Sequence, residues 1–510
     1  MQRQADKIRD IRQQEMTMRP TIGPIGSHLL ALGATLAVLS SSCGSSADDA
    51  SHSASDRIAP STLPETTVPP ETTVTTTVTT TVPPETTVTT TVPPETTVTT
   101  TAPPETTVTT TAPETCAVAS STTTQTVKIG FTYPDLAAFA ILNKAFGIGD
   151  PAQQAEAVLD RWRRECMLPD GLEIDLVFGK YNIISDNAKR GVCTSLAQDE
   201  EVFAVVGGRD FTVGAECLAT RFDIPVIDTN SAPPSLYQRG APWFFTLRAD
   251  QASQLRSFAH WATTEGHLEN KTIGLYYETR LDEAVPVLRD DLASFGHEVA
   301  SEISTSGEGV GAPEDQIAVQ RFIAAGVDLV IPIVGGSSSV NVFSFSESQG
   351  YRPTYIDLDY GEHTTDVAAK TMPAEQYDGT FAMTMTRAGE VAANGTPTPE
   401  AEECLNNYER YSGIEISRER AETGEYSNIL LTCDLMSILL AGLTTAAEDL
   451  SKESFVTGIE TSSDFIFAGS GSGSFGPSDH SGVDEYRTIQ WDAECPCWVA
   501  VGGWKPIVRD

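Results

Sequence analysis

The sequence has few basic residues and lacks the short motifs typical of the common enzyme classes. It contains 33 Lys and Arg residues against 70 Asp and Glu residues, which gives a formal net charge of -37. No basic stripe interleaved with aromatic residues is present, so we exclude nucleic acid as a partner. There is also no HExxH metal motif, no G-x-S-x-G elbow and no GxxxxGK[ST] phosphate loop. We therefore predict a protein that is not an enzyme and holds no cofactor.

Two segments begin like metal sites, and neither is complete. Asp357 and Asp359 open a segment that starts like a calcium-binding loop, but Ala368 occupies the twelfth position, where that loop requires Glu. Cys495 and Cys497, taken with His480, lack further ligands at the usual spacing. The sequence therefore predicts no metal site.

The N-terminal region has the order of a secretory signal. Basic residues at positions 3, 7, 9, 12 and 19 precede an apolar run at residues 29–39, which is too short to span a bilayer. Cys43 follows a group of small residues just after this run, as in the lipobox of bacterial lipoproteins. We expect residues 1–43 to be a lipoprotein signal peptide, with Cys43 carrying the lipid that anchors an extracytoplasmic protein to the bacterial membrane. The alternative is secretion with Cys43 unmodified.

A repeat rich in Thr and Pro follows the leader. The unit PPETTVTTT returns at Pro69, Pro83, Pro93 and Pro103, and Val is almost its only aliphatic residue. Such a composition cannot bury a core, so we predict a disordered spacer at residues 44–125. Dense Thr beside Pro is typical of O-glycosylated segments, and an unmodified linker is the alternative.

The rest of the chain, residues 126–510, alternates between buried strands and amphipathic helices. Its length suits two lobes better than one core. A first series of predicted strands is followed by a second of the same kind, and such alternation favours parallel sheets with helices on both faces. The predicted strands lie at residues 127–131, 172–178, 202–208 and 224–228, and then at 271–277, 296–299, 327–333 and 353–357. The predicted helices lie at residues 151–166, 187–197, 213–222, 282–295 and 314–325. We predict an α/β fold with two doubly wound lobes.

Several linked segments of this body resemble the type I periplasmic binding proteins, specifically the branched-chain amino-acid-type substrate-binding proteins of ABC importers. Residues 199–208 are similar to the third strand of that family, residues 222–227 to its fourth, and residues 243–248 to its first crossing into the second lobe. The terminal strands of the family are matched by residues 473–477, 483–491 and 503–504. Their order and spacing carry the resemblance.

The resemblance implies two Rossmann-like lobes joined by three crossings, near residues 246–250, 378–384 and 465–473. Lobe 1 would contain residues 127–247 and about 380–464, and lobe 2 residues 248–379 and 465–510. It also implies a small polar ligand, an amino acid or a related solute, that is held between the lobes and passed to an ABC permease. The alternative is a sensor lipoprotein of the same fold that signals to a membrane partner.

The resemblance also implies ligand contacts at the strand ends of the first lobe. The loop that carries a hydroxyl contact in the family contains Thr212 here, together with Arg209, which suits an anionic ligand, and Asp210, which suits a cationic one. Arg209 and Asp210 pairing with each other is the alternative. After the fourth strand, Asp228 and Thr229 offer hydrogen bonds to a ligand, or cap the next turn.

In the second lobe, the resemblance implies an aromatic contact from Tyr277 and an acidic contact for a ligand ammonium from Asp359. These two residues form the leading pair of that lobe. Ordinary packing within the lobe is the alternative for Tyr277.

Nine cysteines are present, and an even number remains when Cys43 is assigned to lipid. An even count in an exported chain predicts disulfides. A bridge between Cys193 and Cys217 resembles one known in the family, and Cys404 and Cys433 lie on successive helical segments that can pack together. We expect Cys495 and Cys497 not to bridge each other, because sulfurs so close in sequence would be strained.

Overall fold

The computed structural model of the chain describes residues 124–136, 147–307 and 313–509. Residues 1–123 lie outside this described part. They include the predicted signal peptide, Cys43, Cys116 and all but the last two residues of the predicted spacer.

The first lobe is built on a five-stranded parallel sheet with the order β2-β1-β3-β4-β5. Its strands are β1 (Gln125–Pro134), β2 (Leu172–Tyr181), β3 (Ala204–Gly207), β4 (Val226–Asp228) and β5 (Phe244–Thr246). Helices α1 (Pro151–Arg164), α2 (Asp186–Thr194), α3 (Thr212–Arg221) and α4 (Pro234–Gly240) connect them. All four residues of β3 are buried, as expected for a central parallel strand covered on both faces.

The second lobe holds an eight-stranded sheet with the order β12-β11-β10-β9-β8-β6-β7, and β13 pairs with β11. Its strands are β6 (Ile273–Glu278), β7 (Val299–Thr305), β8 (Leu329–Ile333), β9 (Thr354–Leu358), β10 (Phe381–Thr384), β11 (Glu485–Asp492), β12 (Cys497–Ala500) and β13 (Lys505–Pro506). Its helices are α5 (Gln251–Thr264), α6 (Val285–Ser294), α7 (Pro313–Ala325), α8 (Gly336–Ser348), α9 (Asp366–Ala369) and α10 (Ala374–Tyr377). The pairs from β6 to β10 are parallel, and β11 and β12 add antiparallel edges. The α/β fold with two doubly wound lobes is confirmed.

Four further helices follow β10: α11 (Glu390–Asn394), α12 (Pro399–Ser412), α13 (Gly424–Ala446) and α14 (Lys452–Thr461). Within the described residues, α13 is the one helix long and apolar enough to cross a membrane. Most of its apolar window is buried inside the protein, and Leu435, Leu439 and Leu443 belong to the main core cluster together with Phe245 of β5. The helix is therefore a core helix of the first lobe.

Three crossings join the lobes and lie side by side. The first follows β5, and the backbone of Leu247 accepts a hydrogen bond of 2.8 Å from the backbone of Val483 in the third. The second is bonded to the third through Met385 and Gly471, with an N to O distance of 2.9 Å. The second crossing starts later than predicted, because β10 pairs with β9 and β11 in the second sheet. Residues 381–384 therefore belong to the second lobe.

The structure contains both predicted disulfides, Cys193–Cys217 and Cys404–Cys433. The expectation for Cys495 and Cys497 was wrong, since they form a third bridge. The antiparallel register of β11 and β12 pairs Asp492 with Cys497, so the chain between them turns back tightly. This turn places the two Cα atoms 5.2 Å apart, within the range that disulfides require. Cys166 is disulfide-bonded as well.

The two kinds of bridge differ in the length of chain that they close, which gives a testable difference in stability. Cys193 and Cys217 are 24 residues apart, and Cys495 and Cys497 only 2. Replacing Cys193 and Cys217 by Ala is expected to lower the free energy of unfolding by about 3 kcal/mol, because the longer loop loses more entropy when closed. The Cys495→Ala/Cys497→Ala variant is the control, and it should lose clearly less in urea titrations. Equal losses for both pairs would contradict the loop-entropy account.

Candidate functional site

The carboxyl ends of the first-lobe strands bring four residues to one level of the sheet. The register aligns Thr132 with Gly207, Gly207 with Asp228, and Asp228 with Thr246. Residues at one level of parallel strands present their side chains to the same face. Gly207 has a φ of +113°, and a Cβ there would lie 2.5 Å from the carbonyl oxygen of Thr132. A glycine is thus required at this close approach between β1 and β3.

Three polar atoms at this edge are buried and have no hydrogen-bond partner among the described residues. They are Thr132 Oγ1, Asp228 Oδ2 and Thr229 Oγ1. Buried polar atoms are normally satisfied, so a cluster of unsatisfied ones favours a binding site. Thr132 and Thr229 also line a pocket with Gly207, Gly208 and apolar residues that include Phe131, Leu431 and Leu435. The pocket therefore combines an apolar wall with unpaired hydroxyl groups, as small-molecule sites commonly do.

Asp228 is fully buried, and burial raises the pKa of its carboxyl group to about 7. Hydrogen bonds from the backbone of Asn230 and Thr229 oppose this rise, as does the Thr212 hydroxyl, while the negative charge of Asp210 adds to it. The backbone N–H of Asn230 lies 3.3 Å from Asp228 Oδ1, so one oxygen caps the following turn. The predicted residues Asp210, Thr212, Asp228 and Thr229 are thus brought together at one edge of the first lobe.

Two ion pairs connect this edge with the second lobe. Arg209 Nη1 lies 2.7 Å from Glu362 Oε2, and Arg280 Nη1 lies 3.0 Å from Asp210 Oδ1. Asp210 also pairs with the buried Lys189 of α2 at 3.2 Å. Arg209 and Asp210 therefore do not pair with each other. Arg209 pairs across the cleft with Glu362. Asp210 pairs across the cleft with Arg280 and within its own lobe with Lys189. We call Arg209–Glu362 and Asp210–Arg280 the cross-cleft pairs.

Glu278, at the end of β6, is the buried acidic group of the second-lobe wall. Its side chain is 1% exposed, and it accepts hydrogen bonds from Tyr360 at 3.0 Å, from the backbone of Gly335 at 2.5 Å and from Arg280. Tyr277, the residue before it, packs against the core, with Glu302 and Ser304 of β7 beside its hydroxyl. Side chains alternate along a strand, so Glu278 and the predicted Tyr277 point to opposite faces of the second sheet.

Asp359 lies in the hinge, and its two carboxylate oxygens already accept four hydrogen bonds from the protein. Oδ2 accepts from Arg248 Nη1 at 3.0 Å and from the backbone N–H of Met385 at 2.5 Å. Oδ1 accepts from the Thr384 hydroxyl at 2.7 Å and from the Thr364 hydroxyl. The side chain is 2% exposed. In this structure the group that we expected to hold a ligand ammonium instead joins β9 to the first and second crossings.

A second polar cluster in the same lobe has the donor order of a catalytic triad. Ser339 bonds to His363 Nε2, and His363 Nδ1 lies 2.9 Å from Asp357 Oδ1. All three side chains have 0% exposure, and Tyr377 donates a further bond to Asp357 at 2.9 Å. A catalytic serine must be able to contact the carbonyl group of its substrate. The Ser339 side chain is fully buried and cannot do so, and its hydrogen bonds with His363 and Asp357 stabilise the second lobe. The described residues contain no group of three or more His, Cys, Asp or Glu side chains able to hold a metal ion.

A model of the family described as periplasmic binding protein matches residues 189–496, well over half of the chain. The chain belongs to this family. Its two lobes and three crossings have the type I architecture, of the branched-chain amino-acid-binding kind. A comparison with curated protein sequences finds no match.

Solved structures of other periplasmic binding proteins share the fold at low sequence identity. A solute-binding protein of an ABC transporter from Rhodopseudomonas palustris, in complex with 3,4-dihydroxybenzoic acid, is 14% identical with a TM-score of 0.58, over 76% of this chain and 98% of that one. A branched-chain amino-acid ABC transporter protein from Thermus thermophilus with bound valine is 15% identical with a TM-score of 0.58, over 75% and 97%. A leucine-binding protein from Thermotoga maritima is 14% identical with a TM-score of 0.57, over 74% and 99%.

The hinge position of Asp359 leads to a prediction about stability. Asp359→Ala leaves Arg248 and three further donors without their acceptor, so the free energy of unfolding should fall by about 3 kcal/mol. Asp290→Ala removes an exposed carboxylate from α6 and should change the value little. Urea titrations of both variants measure the difference. An unchanged unfolding midpoint for Asp359→Ala, together with weaker solute binding, would instead favour the original assignment of Asp359 to the ligand.

Proposed function

We propose that this periplasmic binding protein captures a small polar solute, an amino acid or a related compound, between its lobes and presents it to an ABC permease. We further propose that lipid on Cys43 anchors it on the outer side of the bacterial cell membrane. The sequence motif at Cys43 supports the anchor, and the family supports an extracytoplasmic location.

The observation that carries the proposal is the group of unpaired polar atoms at the carboxyl ends of β1 and β4, opposite the second lobe. Ligands of open α/β sheets bind in this position relative to the strands. Each of the atoms Thr132 Oγ1, Asp228 Oδ2 and Thr229 Oγ1 can form a hydrogen bond that the protein does not supply. A solute that bonds to them gains contacts that exist only when the lobes surround it, and such contacts favour closure.

The proposed ligand contacts are Asp210, Thr212, Asp228 and Thr229 from the first lobe. Thr132 joins them because its hydroxyl is buried, unpaired and level with Asp228. From the second lobe, Tyr277 and Asp359 keep their predicted role only if the lobes rearrange on binding, since both are engaged elsewhere. Arg280 pairs with Asp210 of the first lobe and with Glu278, so we add Arg280 and Glu278 to the proposed site.

Solute capture predicts a thermal shift and a change of shape. The solutes named in the descriptions of the structural relatives supply the first probes: valine, leucine and 3,4-dihydroxybenzoate. A bound probe at about one hundred times its dissociation constant should stabilise the protein by about 2.7 kcal/mol, and X-ray scattering should show compaction of the lobes.

The double variant Thr132→Val/Thr229→Val tests the site. Its affinity for the same probe should fall roughly tenfold, because two hydrogen bonds to the solute are lost. Thr263→Val is the matched control, since Thr263 Oγ1 is also buried and unpaired but belongs to α5. If the control loses as much affinity as the double variant, the cleft is not at this edge. If no probe from a broad library of small solutes binds, solute capture is wrong.

The anchor predicts that the protein fractionates with membranes. Mass spectrometry of the mature N-terminus should find Cys43 carrying lipid, and Cys43→Ala should move the protein to the soluble fraction. A wild-type protein that is already soluble, with an unmodified Cys43, would establish plain secretion instead.

A further inference from the structure

The disulfide between Cys495 and Cys497 differs from the other two whose ends are both described in what surrounds it. Each of those two has a half-buried cysteine on a helix that packs against a hydrophobic core cluster, Cys217 on α3 and Cys433 on α13. Cys495 belongs to no core cluster of the described residues. It lies in the turn between β11 and β12, and the residues on both sides of it are exposed. This bridge therefore lies at the surface, whereas the other two join packed helices.

The two sulfurs of this bridge are not equally open to attack. Cys497 is the first residue of β12, is paired with Asp492 of β11, and is fully buried. Cys495 is half-buried, and its sulfur lies 3.6 Å from the carbonyl oxygen of Asp492. A thiolate exchanges with a disulfide by attacking the sulfur that it can reach, and the other sulfur leaves. The geometry makes Cys495 the sulfur that is attacked and Cys497 the leaving group.

We propose that the Cys495–Cys497 bridge is a reversible site of thiol-disulfide exchange, and that its reagent is a small neutral or cationic thiol. The reagent thiolate attacks Cys495 Sγ, so that a new sulfur-sulfur bond forms, the bond to Cys497 breaks, and Cys497 leaves as a thiolate. A second reagent thiolate attacks the reagent sulfur of this mixed disulfide and releases Cys495. The reagent is oxidised to its disulfide, and the protein gains two electrons and takes two protons from water. The exchange does not depend on solute capture.

Loop length favours reduction of this bridge before the others. The bridge spans a separation of only 2 residues, against 24 and 29 for the other two. A disulfide that closes a longer loop restrains the unfolded chain more and so adds more to the stability of the fold. The same free energy opposes its reduction in the folded protein. The Cys495–Cys497 bridge gains least from this effect, and exposed disulfides are the ones that exchange most easily.

The hairpin has other contacts that can hold its shape once the bridge is open, which makes the exchange reversible. Strands β11 and β12 are paired from Ile489 and Ala500 down to the bridge. The backbone N–H of Trp498 donates to Asp366 at 2.7 Å, and its indole N–H donates to the carbonyl oxygen of His363 at 3.0 Å. These contacts fix β12 to the second lobe. The two thiols therefore stay side by side after reduction and can form the bridge again.

The charge of the turn selects the class of reagent. Asp492 and Glu494 belong to the turn, and the backbone N–H of Ala493 donates to Asp378 at 3.2 Å. Arg420 lies 4.0 Å from Asp492 and is the basic group that an ion pair brings to the turn. Three carboxylates against one guanidinium leave an excess of negative charge. This excess repels an anionic reagent and attracts a cationic one.

The order in which the bridges open tests the proposal in the full-length protein. Mixtures of reduced and oxidised dithiothreitol set the reducing strength, and iodoacetamide trapping followed by peptide mass spectrometry follows each cysteine pair. The Cys495–Cys497 pair should be half reduced at a ratio of reduced to oxidised reagent about tenfold below that for Cys193–Cys217. Removal of the reductant should restore it. Joint reduction of both pairs, or earlier reduction of Cys193–Cys217, would overturn the proposal.

Two matched variants test which sulfur is attacked. Cys497→Ser leaves Cys495 free, and Cys495→Ser leaves Cys497 free. Cystamine, a small cationic disulfide, should modify the first variant about tenfold faster, because only that thiol lies in the open turn. Equal rates would contradict the assignment. If either variant fails to fold, the mixed disulfide that cysteamine forms with the parent protein decides, and it must map to Cys495.

Reagent charge is tested with cysteamine and 2-mercaptoethanesulfonate, which are similar in size and opposite in charge. Each rate of bridge opening is divided by the concentration of the reagent's thiolate, because the thiolate is the attacking form. At low salt cysteamine should react about fivefold faster, and the difference should shrink at 1 M salt. Equal rates at low salt, or faster reaction of the sulfonate, would rule out the proposed reagent class.

Discussion

The carboxylate of Asp359 is the interaction on which the arrangement of the lobes depends. A buried charge is costly unless several partners offset it, and here Arg248 and three neutral donors do so. Arg248 belongs to the first crossing and Met385 to the second, so one side chain after β9 fixes both with respect to the second sheet. The third crossing is held to these two by backbone hydrogen bonds and by the side chain of Arg387, whose Nε donates to the carbonyl oxygen of Phe467 at 3.1 Å. The register of the three crossings is therefore fixed by both kinds of contact.

The cross-cleft pairs have a different character from the hinge. Glu362 and Asp210 each have 37% of their side-chain surface exposed and Arg280 has 52%, whereas Arg209 has 17%. The Asp210–Arg280 pair is thus the more exposed of the two. Exposed ion pairs contribute little net free energy and weaken with salt. The lobes therefore meet through contacts that are easily broken, whereas the hinge is held by buried ones. This contrast is what a clamp requires, because a strong contact across an empty cleft would compete with the solute.

The sequence predicted the architecture well because each main element has a strong local signal. The apolar run that contains Ala204, Val205 and Val206 is typical of a buried parallel strand, and the structure has a strand there. The bounds of β10 were harder to predict from the sequence, because Phe381–Thr384 is a short strand. Its place in the second sheet is decided by pairing with β9 and β11, which are distant in sequence. The bridge between Cys495 and Cys497 was missed for a similar reason. A turn that places two Cα atoms 5.2 Å apart depends on strand register, which local sequence does not fix.

The site was predictable only as far as the ends of the strands. Asp228 and Thr229 follow directly from a strand end. Tyr277 and Glu278 are neighbours on one strand, so a shift of one residue exchanges the faces to which they point. Asp359 shows a second limit, because its partners Arg248 and Thr384 are distant in sequence and meet only in the folded hinge.

The physical state of Asp228 connects these points. A buried carboxyl without a basic partner destabilises its own ionised form, and here the cost of burial outweighs the hydrogen bonds that favour ionisation, so the pKa of Asp228 is raised. Asp228 Oδ2, Thr132 Oγ1 and Thr229 Oγ1 remain without a hydrogen-bond partner among the described residues, at the end of the sheet where the ligands of open α/β folds bind. The proposed solute would supply these missing bonds, and the free energy that they release would favour the closed arrangement of the lobes.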